Sequence, residues 1–255
     1  MLAGLARKMF SAIDSSLAFA RVAVRRCLGV LSEPWEMDRP ESRFVPFSSR
    51  VWLSDLAVSR QFVRAVQDAK WSGSEMPRVH WKGIPNLKDP YDLAIVPLLL
   101  WELKPATVIE LGAYLGGSAI WMADLLGTMG VHSRVYSFDI DVRRIRARHP
   151  QVEFIQADLT RLETLTLPAP ESLPRPWLVI DDAHVNTYRV LQHFDRHLRS
   201  GDYLIMEDTI YHFEKQRELA RFLAEHGNRY RVDRRFTDLF GYNATFNFNG
   251  YIRRI

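Results

Sequence analysis

Thr107-Val-Ile-Glu-Leu-Gly-Ala-Tyr-Leu-Gly-Gly-Ser118 is the stretch on which the reading of the whole chain turns. Thr107–Leu111 is a short apolar run of strand length, and the glycines that follow make a turn. Ile120, Trp121, Ala123 and Leu125 then recur at helical spacing until Gly127 stops the helix. The same alternation continues on both sides. A helix is expected around Leu93–Lys104, and strands over Arg134–Phe138, Glu153–Ala157, Trp177–Ile180 and Tyr203–Met206. Further helices are expected around Arg143–Arg148, over 187–198 and over Glu214–Glu225, with final strands near Tyr230–Arg235 and Phe246–Arg253. Strands that alternate with helices predict an α/β fold, a Rossmann-like doubly wound sheet.

Composition is consistent with this and excludes other classes. The chain has 255 residues, 47% of them apolar and 25% charged, which does not suit disorder, collagen or a coiled coil. A net charge of +4 is too small and too dispersed to imply nucleic acid. The single cysteine, Cys27, excludes an internal disulfide and a cysteine-rich metal site, and a reducing cytoplasm is the expected setting. No run reaches the roughly 18 apolar residues of a membrane span; Leu93–Trp101 is broken by Pro97 and followed by Glu102.

Right-handed crossovers place the carboxyl ends of all parallel strands on one rim, where doubly wound sheets bind ligands. The residues expected there are acidic: Asp139, Asp158, Asp181–Asp182 and Glu207–Asp208. The first turn, with Gly112, Gly116 and Gly117, lacks the G-x-G-x-x-G spacing of a dinucleotide site and the lysine of a P-loop. Glu110 just ahead of it is wrong for a pyrophosphate and right for a cationic amino-acid head. Asp139 after the second strand suits ribose hydroxyls, and Asp158 after the third suits an adenine amino group. Together they describe S-adenosylmethionine.

The fourth and fifth strands end Asp181-Asp182-Ala-His184 and Glu207-Asp208-Thr. Three carboxylates from neighbouring strand ends would repel one another, and a hard divalent cation resolves that conflict. Mg²⁺ is the expected ion. His184 lies just past the strand, placed to take a proton from a hydroxyl. Free imidazole, with a pKa of ~6.5, is too weak for an unaided alcohol, so metal and base are expected to act together.

The first motif resembles that of class I methyltransferases, and the Glu-Leu-Gly-Ala-Tyr opening is similar to catechol O-methyltransferase. That resemblance implies that Glu110, Gly112, Tyr114 and Ser118 line the methionine end, with Gly116 and Gly117 in the same cofactor loop. It also implies a mostly parallel sheet with a C-terminal antiparallel strand. Asp-x-x-His followed by Glu-Asp-Thr resembles the cephalosporin hydroxylase and rhamnosyl O-methyltransferase family, which includes macrolide-sugar O-methyltransferases. The likeness runs over roughly residues 80–255 and takes in Trp81-Lys-Gly-Ile-Pro, Lys88-Asp-Pro-Tyr-Asp92 and the closing Phe-Asn-Gly-Tyr-Ile-Arg-Arg. It implies that Asp181, Glu207 and Asp208 are metal ligands and His184 the general base. Catechol O-methyltransferase has Asn and Lys where Asp208 and His184 stand.

The expected organisation is a helical amino-terminal extension and linker over residues 1–80 and a methyltransferase domain over 81–255. Arg7, Lys8, Arg21, Arg25 and Arg26 face a single acid, Asp14, in the extension, which reads as a helical arm covering the domain or a neighbouring subunit. A helix from about Ser54 is expected too. The expected activity is Mg²⁺-dependent methyl transfer to a sugar hydroxyl of a natural product or glycolipid, by a homo-oligomer with no membrane span and no nucleic acid partner. Methylation of an aromatic diol and a non-catalytic subunit that keeps the fold are the alternatives.

Overall fold

The computed structural model describes residues 40–52, 54 and 79–255. The helices expected over 1–32 and beyond Ser54 lie outside them. In chain order come a helical turn α1 (Pro40–Arg43), β1 (Phe44–Val45), a small hairpin of β2 (His80–Trp81) and β3 (Ile84–Pro85), and α2 (Pro90–Leu103). Then follow β4 (Thr107–Leu111), α3 (Gly117–Thr128), β5 (Arg134–Asp139), β6 (Val152–Gln156), β7 (Trp177–Asp181) and α4 (Thr187–Asp195). The chain closes with β8 (Tyr203–Met206), α5 (Phe213–His226), β9 (Tyr230–Asp233), a turn α6 (Arg234–Thr237) and β10 (Tyr251–Arg254).

Eight of these strands form one sheet in the order β1-β9-β10-β8-β7-β4-β5-β6. β6, β5, β4, β7 and β8 pair in parallel, whereas β10 runs antiparallel to both β8 and β9. The order reverses at β4, so the crossovers leave that strand in opposite directions and open a crevice at its carboxyl end. β4 and β7 are buried along their whole length, as strands covered on both faces must be. On one face Ile95, Leu99 and Leu100 of α2 and Trp121 and Met122 of α3 pack on Val108, Val135 and Leu178. On the other, Leu191 and Phe194 of α4 and Leu219 and Phe222 of α5 pack on Ile109, Val179 and Leu204. No helix among the described residues is long and apolar enough to cross a membrane.

Three elements differ from the sequence reading. Arg143–Arg148 is not a helix; it contains part of a single 3-10 turn, Val142–Arg144, capped by the Asp141 carboxylate, and Pro150 disfavours helix before it. β9 stops at Asp233, whose side chain accepts from Arg235 N and starts the next turn. The last strand begins only at Tyr251, because the asparagine-rich segment before it spends its amides on side-chain hydrogen bonds.

The amino-terminal strap is bound by buried ion pairs. Arg43 donates to both oxygens of Asp233, at 2.9 and 2.7 Å, and Tyr203 donates to the same carboxylate. Arg50 donates to both oxygens of Asp238, at 2.8 and 2.6 Å, and to Asn249 at 2.7 Å. At the opposite end of the crevice, the segment after β3 lies directly over the start of α3. A Cβ on Gly117 would fall 2.0 Å from the Pro85 carbonyl oxygen. Gly117→Ala is therefore expected to push this segment off α3 and destabilise the protein by about 1–3 kcal/mol. Urea denaturation of both proteins checks this; an unchanged midpoint would show that the segment yields freely.

Candidate active site

The crevice at the carboxyl rim contains a cavity of about 770 Å³. One end is built by the β4 turn. Gly112 and Ala113 donate to the Phe138 carbonyl at 2.8 and 3.0 Å, which draws the turn against β5. A Cβ on Gly112 would meet the Asp182 backbone at 2.9 Å, so glycine is what lets the β4 and β7 ends lie side by side. Tyr114 then adopts a left-handed φ of 50°, and its N–H donates to Asp139 Oδ2 at 2.8 Å. Asp139 Oδ1 accepts from Asp141 N, so the carboxylate is locked at the mouth. Asp158 is held by Thr160 and Arg161, hydrogen bonds that hold its pKa below the ordinary carboxylate value.

Gly112, Tyr114, Asp139 and Asp158 line this end of the cavity, between the apolar Phe138, Ile140 and Leu159. The other four cofactor positions do not reach the wall. Glu110 is fully buried behind the turn, where it accepts from the hydroxyls of Ser118 and Ser137. Burial pushes its pKa up, against the pull of Lys88 and the two hydroxyls. Gly116 packs toward Ala147 and Phe154, and Gly117 toward Pro85. These residues shape the turn from behind. Strand alternation supplies the reason for Glu110: its side chain points into the layer beside the sheet, whereas the cavity lies at the strand's end.

The other end of the cavity is acidic. β7 and β8 are paired, with Asp181 opposite Met206. Asp182, His184 and Asp208 bring ligating atoms within 4.8 Å of one another. His184 Nε2 stands 3.4 Å from Asp182 Oδ1 and 3.6 Å from Asp208 Oδ2. Lys88, from the segment between the hairpin and α2, donates to Asp182 Oδ2 at 2.9 Å and to Glu207 Oε2. Glu207 Oε1 also lines this region, buried and without a hydrogen-bond partner. Asp208 is left-handed, with φ of 54°, and its N–H donates to Asn247 Oδ1 at 2.8 Å. Asn247 in turn donates to Asp92 at 2.9 Å and to Tyr251 at 3.2 Å.

Of the expected ligand set Asp181, Glu207 and Asp208, the structure places two at the cluster and one beside it. Asp208 lies in the cluster and Glu207 borders it, but Asp181 turns away. Its carboxylate lies 3.6 Å from Lys215 Nζ and accepts from Ala183 N at 3.2 Å. Successive residues leaving a strand face opposite sides, so Asp182 takes the place at the rim. Lys88 is one of the residues at this site that the sequence did not mark. Its only signal was a lone lysine in the Lys88-Asp-Pro-Tyr segment.

Electrostatics follow from this crowding. Burial alone would raise the pKa of Asp182, but Lys88 and His184 pull it well below the carboxylate range. Glu207 goes the other way, raised by burial and by the charge of Asp182, with Lys88 opposing. Burial and the charge of Lys215 depress His184 to about 4, so the ring is neutral near pH 7. Lys215 Nζ lies 3.3 Å from His184 Nδ1 and can only donate, which leaves the ring hydrogen on Nε2, toward the carboxylates. Four carboxyl groups, Asp181, Asp182, Glu207 and Asp208, stand with two ammonium groups, Lys88 and Lys215, so acidic groups outnumber basic ones here. The excess, the oxygen-rich donor set and the orphaned Glu207 oxygen fit a divalent cation such as Mg²⁺ or Mn²⁺.

Asp182→Asn is expected to weaken Mn²⁺ binding at least tenfold, as read by calorimetry. Asp181→Asn should instead lower stability, because it leaves Lys215 buried beside a neutral amide, while Mn²⁺ affinity changes little. Equal loss of Mn²⁺ in both variants would restore Asp181 to the ligand set.

The comparisons with known proteins point the same way. The rhamnosyl O-methyltransferase/CmcI family matches residues 74–255. A rhamnosyl O-methyltransferase of Mycobacterium leprae (strain TN) is 31% identical over 139 residues, which cover 51% of this chain and 59% of that protein. One from Mycobacterium tuberculosis (strain ATCC 25618 / H37Rv) is 27% identical over 140 residues, 51% of this chain and 56% of that protein. The match thus spans less than two thirds of the length of these curated relatives. Among solved structures, the Mg-SAM form of CmcI gives a TM-score of 0.61 at 28% identity, over 73% of this chain and 83% of that one. Its SAH form gives 0.60 at 30% identity, over 71% and 85%.

Proposed function

The chain belongs to the rhamnosyl O-methyltransferase/CmcI family, and from that premise we propose that it is a Mg²⁺-dependent O-methyltransferase acting on a sugar hydroxyl of a natural product or glycolipid. The observation that carries this reading is the division of one cavity into two ends, one with a cofactor-shaped turn and one with a cation-shaped acidic cluster. When bound, S-adenosylmethionine supplies the methyl group and a divalent cation makes a hydroxyl more acidic.

The chain's own residues do the rest. Asp139 and Asp158 accept from the nucleoside, and the apolar side chains of Phe138, Ile140 and Leu159 flank its base. Gly112 and Tyr114 edge the reacting end. Asp182, Asp208 and the buried Oε1 of Glu207 hold the cation. Lys88 keeps Asp182 and Glu207 together without occupying Glu207 Oε1. Holding the acceptor oxygen in line with the methyl and its sulfur lowers the barrier by several kcal/mol in such reactions.

His184 is the proposed proton acceptor. Its low basicity keeps it uncharged, and it stands at the junction of the cluster and the solvent-facing wall. To accept at Nε2 its hydrogen must reside on Nδ1, so Lys215 must withdraw from that atom in the working state. The proposed methyltransferase unit is residues 81–255, with 1–80 as an extension whose described part packs on that unit, and the working form is a homo-oligomer. The lone Cys27 is in keeping with a reducing cytoplasm.

Calorimetry should show S-adenosylhomocysteine binding with no binding of NAD. Extracts incubated with the enzyme and labelled S-adenosylmethionine should yield a methylated glycoside by mass spectrometry, and exhaustive chelation should abolish it. Methyl transfer that survives chelation would remove the cation from the mechanism. His184→Ala is expected to slow turnover by about 10²–10⁴-fold with unchanged cofactor affinity. A rate equal to the wild type would transfer the base role to a cluster carboxylate.

A further inference from the structure

We propose that the groove between the amino-terminal ends of α4 and α5 is the subsite for the glycosyl body of the acceptor, an inference that rests on the sugar O-methyltransferase reading above. The groove is a second cavity of about 630 Å³. It is continuous with the first: Thr160, His184, Val185, Tyr211 and His212 line both. His184 and His212 are stacked at 4.1 Å and form the partition between them. With the nucleoside at Asp139 and Asp158, an acceptor whose hydroxyl reaches His184 has this groove as its open way out.

The walls carry the chemistry of a pyranoside. Phe213 is 74% exposed, Val185 40% and Tyr211 39%, and all three line this groove. Large apolar side chains left in water at one cavity mark a surface that a ligand covers. Arg189 and Glu214 line the same groove with charged, hydrogen-bonding groups. A sugar ring presents an apolar C–H face and a rim of hydroxyls, and this wall offers a counterpart to each. A small aromatic diol would be consumed at the cluster and leave Phe213 and Val185 in water. The Tyr211 ring is fixed edge-on against Phe246 at 5.2 Å, so this side of the groove is preformed.

Phe213→Ala and Phe213→Asp change an exposed side chain that lines this groove and not the first cavity, so both variants should fold as the wild type does. The test uses the full chain saturated with S-adenosylhomocysteine and Mg²⁺, with p-nitrophenyl α-L-rhamnopyranoside as the probe, titrated by ligand-observed NMR. Each variant should bind the glycoside about tenfold more weakly, the cost of losing one apolar contact face. S-adenosylhomocysteine affinity should be unchanged. Equal glycoside affinity in wild type and variants would overturn the subsite. A wild type that binds S-adenosylhomocysteine but no glycoside would also overturn it, while the methyltransferase reading stands. Failure to bind S-adenosylhomocysteine would overturn the underlying reading and the subsite with it.

Discussion

Lys88 carries its charge into a fully buried position and stays charged there because Asp182 and Glu207 both accept from its ammonium. Those two carboxylates, in turn, lie together at the rim because Lys88 stands between them. Burial works against each charge singly, and the arrangement survives only as a set. The chain reinforces the delivery of Lys88. Asn86 N donates to Val79 O, Asp89 caps α2 by accepting from Tyr91 N and Asp92 N, and Gly117 admits the Pro85 backbone over α3. A segment with little regular structure is thereby pinned on both sides of the lysine.

The left-handed residues of the rim show where the backbone pays for function. Tyr114, His184 and Asp208 all have φ near 50–57°, which costs a non-glycine residue of order 1 kcal/mol or more. Each is restrained by a neighbour. Tyr114 N is fixed by Asp139, Asp208 N by Asn247, and the turn after Asp208 by Ile210 N on the Phe246 carbonyl. Asn247 links this turn to Asp92 at the start of α2, four residues after Lys88. Arg50 of the amino-terminal strap binds Asn249 in the same loop. Elements remote in sequence therefore converge on the two residues Glu207 and Asp208.

This convergence connects rigidity to the proposed chemistry. The cofactor end is set by backbone geometry and the cation end by paired charges, so the distance between them depends on the β4–β7 contact at Gly112. The acceptor side is built differently, from helix ends and exposed rings. A methyl transfer that demands linear approach needs the first two ends to be stiff. In the proposed reading the third selects the acceptor.

Much of this was legible in the chain itself. The periodicity from Thr107 to Met206 marked the five parallel strands, because buried parallel strands are short apolar runs and the helices between them repeat at a different spacing. Gly112, Tyr114, Asp139, Asp158 and Asp208 were marked by their position just after a strand, and the cavity holds all five. The family resemblance singled out Asp181, whereas the structure puts Asp182 in the cavity wall, since adjacent residues differ by which face they point to. The sequence also could not show that Glu110 accepts from both Ser118 and Ser137. Lys88, Lys215 and Asn247 were invisible as site residues for one reason. A lone polar side chain has no pattern, and its role exists only once distant segments have folded against it and water has been excluded around its charge.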